Sequence, residues 1–339
     1  MVRGLLDTGR NPIWREGTLQ LFLAERRGRP VGRIAAIENR THNRFHGDRV
    51  GFFGFFECVE DQEVADALIQ AARGWLRDRG LAAIRGPVNP STNHDCGLLV
   101  RGFRFPPMFL TPWNPRYYPT LVEGTGLSPV RDLLGYFIPM DPERFQLPES
   151  VERQARRARE REGMTFRDLK LGRWREEVEL LWEVYNQAWE RNWGFVPYSR
   201  EEFLYTAQDL KRLLRPEFAF VAEVEGEAAG FMLIMPDYNR ILETIPGGRL
   251  LPTGLPKLLL GKKRLLTGRL MALGVKPRYR RSSIFPLFAW EAMRRGRAIG
   301  ALGAEASWIL EDNEAMNAPL RGMGLRPYRR WRIYEGHLE

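Results

Sequence analysis

One order of elements occurs twice in this chain, and it limits the possible folds more than composition does. Near the start, Leu19 to Glu25, a turn at Gly28-Arg29-Pro30 and Val31 to Glu38 read as a strand hairpin. An irregular stretch follows, then an apolar strand at Val50 to Cys58, a helix at Gln62 to Arg79 and a strand at Ala82 to Gly86. The second copy begins with Phe218 to Val224, a turn at Glu225-Gly226-Glu227 and Ala229 to Met235. After an insertion it continues with a strand at Arg269 to Val275, a helix at Ile284 to Ile299 and a strand at Gly303 to Ile309. The architecture repeats, not the residues. Val64, Leu68, Ala71, Ala72 and Trp75, at three- and four-residue spacing, give the first helix one apolar face to lay on a sheet. This order predicts an α/β protein of two similar halves, each a mixed central sheet flanked by helices. The halves are expected at 1–140 and 164–339, joined by a connecting segment at 141–163, because Pro139 to Pro148 interrupts both periodicities. A length of 339 residues agrees with two cores.

Composition excludes several classes. With 44% hydrophobic and 28% charged residues there is ample material for a core, so disorder is not expected. No stretch approaches the roughly 18 apolar residues of a spanning helix, and the start lacks the apolar centre of a secretory signal, so a cytoplasmic protein is expected. Cys58 and Cys96 have no partners at metal-ligand spacing and read as buried thiols; no metal is expected. A net charge of +10 favours anionic company: nucleic acid, a membrane surface or a phosphate-bearing cofactor. No zinc-finger spacing, RNP-type aromatic strand or helix-turn-helix is evident, so no nucleic-acid partner is expected. Arg and Glu alternate through Val151 to Glu162 and can pair across turns, which reads as a solvated connecting helix. In Leu255 to Leu266, a helix would gather Leu255, Leu258, Leu259, Leu265 and Leu266 on one face, interrupted by Lys262, with Lys257, Lys263 and Arg264 away from it. That segment is either a flap for acyl chains or a peripheral membrane contact, or else a core helix with a basic rim.

The stretch from Val275 to Ile284 runs from a strand through a basic turn into a helix. Such a turn aims free backbone N–H groups at one point, where the helix dipole also favours negative charge. It resembles the segment that holds the CoA pyrophosphate in GNAT acyltransferases, whose usual pattern is Arg-x-x-Gly-x-Gly/Ala. Aligned on Arg280, the two small positions fall on Ser283 and Phe285. The equivalent junction of the first half, Glu60-Asp61-Gln62-Glu63, carries three carboxylates that would repel pyrophosphate, so CoA is expected in the second half. Asn313 with Gly324-Leu325 matches the spacing of a second GNAT segment, in which the tyrosine that often serves as general acid falls on Leu320.

Gly51 to Cys58, Gly86 to Gly97, Tyr185 to Pro197 and Ser307 to Asn313 together resemble the YghO-type, bacterial ceramide synthase-like family of GNAT-related proteins. The resemblance runs from about Leu5 to the C-terminus, and relatives carry more sequence before the first hairpin, which implies a shortened start to the first half. It implies a tandem GNAT fold and acyl-CoA, acetyl or long-chain, as co-substrate. The acceptor that the resemblance implies is a small-molecule or lipid amine; some members acylate a long-chain amino alcohol.

Acyl transfer to an amine needs a neutral nitrogen, a route for its proton and a stabilised oxyanion. Leu273 and Val275, on the strand that supplies oxyanion amides in GNAT folds, take the third task. Arg280, Arg281, Ser282, Ser283, Ile284 and Asn313 are the remaining cofactor-binding candidates. Glu57 follows four phenylalanines and is expected to be desolvated, as a base or as a satisfied structural pair. Glu311 and Asp312 stand beyond a strand end, where Glu311 can orient the acceptor and Asp312 reads as a helix N-cap. Tyr185, Asn186, Trp189, Trp193, Tyr198 and Trp308 are the acceptor-site candidates, and core packing is the alternative for the tryptophans. His94 is a base or a loop residue satisfied by hydrogen bonds. The reading is direct N-acyl transfer without a covalent intermediate. Its rivals are an acetyltransferase for a small amine or peptide, and a non-catalytic ligand-binding protein.

Overall fold

The computed structural model describes residues 2–161, 163–245, 247, 254–261 and 264–338. The first half contains α1 (Val2–Leu5), β1 (Gly17–Arg26), β2 (Arg29–Asn39), α2 (Arg40–His46), β3 (Val50–Cys58), α3 (Gln62–Arg77) and β4 (Ala83–Gly86). Short strands β5 (Val88–Asn89), β6 (Asp95–Cys96) and β7 (Leu98–Arg101) lead to α4 (Tyr118–Gly124) and β8 (Ser128–Pro139). After α5 (Glu149–Glu160), the second half has β9 (Met164–Asp168), α6 (Trp174–Trp189), α7 (Arg200–Lys211), β10 (Ala219–Val224) and β11 (Glu227–Pro236). It ends with α8 (Asn239–Leu242), α9 (Leu255–Gly261), β12 (Thr267–Val275), α10 (Ile284–Ala298), β13 (Gly303–Leu310), α11 (Glu314–Gly322) and β14 (Pro327–His337).

The tandem GNAT fold expected from the sequence is present, but its two sheets are joined. The order β1-β2-β3-β4-β14-β8-β13-β12-β11-β10-β9 is continuous, with β7 also on β14. Parallel pairing occurs at β3/β4 and β12/β13, and the other ladders are antiparallel. The closing strands are exchanged. β8, from the first half of the chain, lies beside β13, whereas the C-terminal β14 lies beside β4. Pairing β8 with β14 then covers two edges that separate sheets would expose.

Strand alternation divides the packing between the two faces. In β11, Phe231, Leu233 and Met235 join the core under α6 and α7, while Met232 and Ile234 join the core under α10. This explains why the strand reads as an unbroken apolar run. In the first half, Ile34, Ala36 and Phe53 pack beneath α3, and Ala35, Ile37 and Phe52 face Trp331 and Ile333. Asp61 starts α3 by accepting the Glu63 and Val64 N–H groups, and Val64, Leu68, Ile69, Ala72 and Leu76 are its buried side. The connecting helix α5 is partly docked: Ala155 and Ala158 are buried, and Arg159 reaches the buried Glu291 of α10 at 2.9 Å.

Candidate active site

The site begins where β12 and β13 part. Their parallel pairing covers Thr267 to Leu270 against Gly303 to Ala306 and then stops. A bulge against β11 between Leu233 and Ile234 turns β12 at the same level. Beyond Leu270, the free edge of β12 opens on a cavity of about 400 Å³, which Met271, Ala272 and Leu273 line. The opposite wall is Ser307 to Leu310 of β13. Leu181, Phe203, Leu210, Leu214, Phe231 and Leu233 form an apolar end between α6, α7 and β11.

A loop of the first half closes the other end. Residues 92–96 line the cavity, and hydrogen bonds to the α6–α7 segment hold them there. The Tyr185 hydroxyl donates to Asn93 Oδ1 at 2.9 Å, Asn93 Nδ2 donates to the Val196 carbonyl at 2.7 Å, and Thr92 donates to the Gly194 carbonyl. Ser91 Oγ sits 3.0 Å from His94 Nδ1, and burial pushes the His94 pKa down to about 4, so the imidazole is neutral at neutral pH. Asp95 beside it is a half-buried carboxylate whose pKa is raised by desolvation and held back by the nearby charge of Arg269.

Arg269 is the cation of this site. It is 3% exposed and donates through Nε to the Ser307 carbonyl and Oγ, and through Nη1 to the carbonyls of Phe109 and Leu110. Trp308 lies 4.8 Å from its guanidinium carbon. Burial lowers its pKa to about 10, so it remains charged near neutral pH. Behind it, Ser307 donates to the fully buried Glu305, which also accepts from Tyr328 and faces Arg329. Sequence reasoning missed Arg269 and Asp95. A lone arginine within the apolar strand 267–275 was the available signal for the first.

The residues expected at the site separate into three groups. Tyr185, Trp189, Trp193, Tyr198, Trp308, Leu273 and Asn313 line the cavity. Tyr185 stacks on Trp189 at 4.5 Å, and the Trp189 ring lies so close to Gly274 that a Cβ there would fall 2.2 Å from it. Val275, Arg280, Arg281, Ser282, Ser283 and Ile284 lie beyond the cavity, along the strand end and turn that lead into α10. Ser283 adopts the left-handed conformation, φ +63°, where GNAT sequences place glycine, and its side chain makes no capping hydrogen bond. Pro286 has no N–H, so Ser283, Ile284 and Phe285 carry the donors at this helix end. Arg280 donates to the Ala188 carbonyl at 3.0 Å, and Arg281 is exposed.

The third group lies elsewhere. Glu57 is not desolvated: it sits at the exposed end of β3, accepts from the Tyr118 hydroxyl at 2.6 Å and pairs with Arg33 across the ladder. The four phenylalanines before it are in the strand, but alternation turns Glu57 outward between the buried Phe56 and Cys58. Glu311 accepts from the backbone N–H of Asp132 and so ties β13 to β8 rather than facing the cavity. Asn186 holds Tyr198 through its backbone N–H and carbonyl, both at 3.0 Å. Asp312 pairs with Arg131, and the helix cap expected of it is supplied by Asn313, which accepts from Met316 N–H.

The corresponding opening in the first half is filled. β3 and β4 pair only from Val50 to Phe52 and Ala83 to Arg85, and β5 enters the gap beyond. Asn89 Oδ1 accepts the Phe55 N–H at 2.6 Å, and a Cβ on Gly54 would fall 2.2 Å from the Val88 carbonyl. At the start of α3, Asp61 already occupies the N–H groups and pairs with Arg26 at 2.6 Å. No cluster of His, Cys, Asp and Glu suited to a metal occurs among the described residues. Nor is any helix among them long and apolar enough to cross a membrane.

No family model matches the chain. Among curated proteins it is similar to a bacterial ceramide synthase of Caulobacter vibrioides, 36% identical over 332 residues, covering 96% of this chain and 85% of the relative. It is also similar to protein YghO of Escherichia coli, 34% identical over 324 residues, covering 93% and 81%. Among solved structures it resembles a tandem GNAT protein from the clavulanic acid biosynthesis pathway, with a TM-score of 0.56 at 12% identity, covering 96% of this chain and 84% of that one. A probable N-acyltransferase from Enterococcus faecalis gives a TM-score of 0.54 at 11% identity, covering 100% and 70%. Two structural neighbours support the tandem GNAT fold, the two curated relatives match nearly the whole chain, and the chain belongs to the family of the bacterial ceramide synthase and YghO proteins.

Proposed function

We propose that this protein transfers an acyl group from acyl-CoA to an amine by direct attack, in the cavity of the second half. The observation that carries the reading is the free edge of β12, which opens on a cavity and continues into a basic turn at the start of α10. Backbone N–H groups on such an edge can meet the oxyanion that develops on a thioester carbonyl. Leu273 and Val275 supply that edge; Arg280, Arg281, Ser282, Ser283 and Ile284 take the pyrophosphate; Asn313 borders the route between them. The N-terminus of α10 and the arginines beside it suit a diphosphate.

Tyr185, Trp189, Trp193, Tyr198 and Trp308 form the acceptor wall, and Asn186 fixes that wall without touching the acceptor. A long-chain amino alcohol is the proposed acceptor. Two things support this: the relative's name, and a cavity with a polar end at residues 92–96 and an apolar end under α7. The exposed Leu255 and Leu260 of α9 favour a peripheral contact with a lipid surface on the cytoplasmic side. Of the segment considered for this role, Lys262 and Lys263 lie outside the described residues.

The test is amine-dependent thiol release, with acetyl- and palmitoyl-CoA as donors and ethanolamine, spermidine and sphinganine as acceptors. Release with palmitoyl-CoA and sphinganine supports the full reading. Release with acetyl-CoA and a small amine keeps the acyltransferase and discards the lipid acceptor. Stabilisation by acyl-CoA without release under any pairing favours a binding protein.

A further inference from the structure

We propose that Asp95 is the group that receives the acceptor's ammonium in the cavity and takes its proton before the nitrogen attacks the thioester. This inference rests on the acyl-transfer reading.

Among the described residues, no N–H or O–H donates to the Asp95 carboxylate, and no cation forms an ion pair with it. Arg269, the cation whose charge acts on it, bonds through Nε and Nη1 to Ser307, Phe109 and Leu110 rather than to the carboxylate. Asp95 nonetheless is half-buried and borders the cavity. A half-buried carboxylate that borders a cavity and has no protein partner has lost part of its hydration, and a cationic ligand in that cavity can restore the lost interaction. A cationic amine would do so here.

Position is fixed as well as charge. Asp95 pairs with Asn89 in the β5–β6 ribbon, and the side chain of Asn89 is anchored on β3. On the other side, Asn93 is clamped by Tyr185 and Val196. The first half, with its own opening closed, thus holds a carboxylate at the border of the second half's cavity, within the influence of Arg269 of β12. The charged and titratable groups around it are His94 and Cys96 on its own loop and Arg269 on β12. Tyr185 of α6 and Tyr198 line the same cavity from the second half, and the charge of Glu202 of α7 acts on both tyrosines.

In the step, R–NH3⁺ gives one proton to the Asp95 carboxylate. The freed nitrogen pair forms a bond to the thioester carbon, and the oxygen becomes the oxyanion at the β12 edge. The C–S bond then breaks, a second proton moves from nitrogen to the departing thiolate, and an amide and CoA thiol remain. Asp95 later returns its proton to solvent. Burial raises its proton affinity and so favours the transfer.

The experiment compares the full chain with its Asp95→Asn variant in melting temperature, stabilisation by acyl-CoA and amine-dependent thiol release across pH. Asparagine keeps the shape and removes the unpaired charge. The expected result is an equal or higher melting temperature, unchanged acyl-CoA stabilisation and a fall in kcat of about 100-fold or more at saturating amine. The acidic limb of the wild-type pH profile should be absent from the residual rate. A variant that melts well below wild type assigns Asp95 to holding the loop and overturns the proposal, as does turnover within threefold of wild type. Thiol release absent already in wild type, for every amine, removes the acyl-transfer reading itself, a failure distinct from that of Asp95.

Discussion

Replacing Glu305 with alanine should cost about 4 kcal/mol, because this carboxylate compensates buried cations on both sides of the joined sheet. Glu305 is fully buried on β13, accepts from Ser307 Oγ at 2.6 Å and from the Tyr328 hydroxyl, and faces Arg329 Nε at 3.4 Å. Arg329 is 2% exposed, and Arg269, which pairs with Glu305 across the β12–β13 ladder, is 3% exposed. Removing one partner of a buried pair costs about 3–5 kcal/mol, mostly for the charge left behind. Each hydrogen bond lost adds roughly 1 kcal/mol, though the terms overlap. With an unfolding entropy near 2 cal/mol/K per residue, a chain of this size should lose about 6 °C in Tm. Glu305→Gln keeps an acceptor for Ser307 and Tyr328 and should lose less. Urea and thermal unfolding of the three proteins measure this, and a loss below about 1 kcal/mol for the alanine variant would refute the assigned role of the network.

Three further outcomes follow from particular residues. Ser283→Gly releases a left-handed serine, worth about 1–2 kcal/mol, against a gain in unfolded-chain freedom of roughly 0.5–1 kcal/mol. The net gain, about 0.5 kcal/mol in urea unfolding, should be absent from Ser283→Ala; a glycine variant less stable than wild type would contradict it. Gly274→Ala places a methyl group inside the Trp189 ring contact and should destabilise by about 1–3 kcal/mol, with a change in Trp fluorescence as a second readout. Burial raises the Glu202 pKa to about 8, so the folded state keeps a proton that the unfolded state releases above its ordinary range. Its contribution is therefore full at low pH and is lost as pH rises toward 8, by about 1.4 kcal/mol per unit, and Glu202→Gln should flatten that decline. His42 and His94, held near 3 and 4, act oppositely: the unfolded state gains protons first, so stability falls as pH drops below about 6.5.

Local periodicity carried much of this structure. The hairpins, β3, α3, β12, α10 and β13 are legible because strand and helix spacing are written into adjacent residues. The exchange of β8 and β14 is not, since the pattern of a strand names its buried faces but not its neighbour. The same limit governs the site. The aromatic wall from Tyr185 to Tyr198 could be read from one segment. Asp95 and Arg269 meet only because a loop of one half crosses to the other. Glu57 misled for a related reason: four apolar neighbours mark a buried strand, but not which of its positions turns outward, here beside Arg33 and Tyr118.

The central claim is a single acyl-CoA site per chain, in the second half, with the first half closed by Asn89 and Asp61. Calorimetric titration with a non-hydrolysable acyl-CoA tests it directly, on wild type and on an Arg280→Glu, Arg281→Glu variant. The account predicts one equivalent bound per chain and loss of that binding in the variant. Two equivalents, or binding that survives both substitutions, would contradict it.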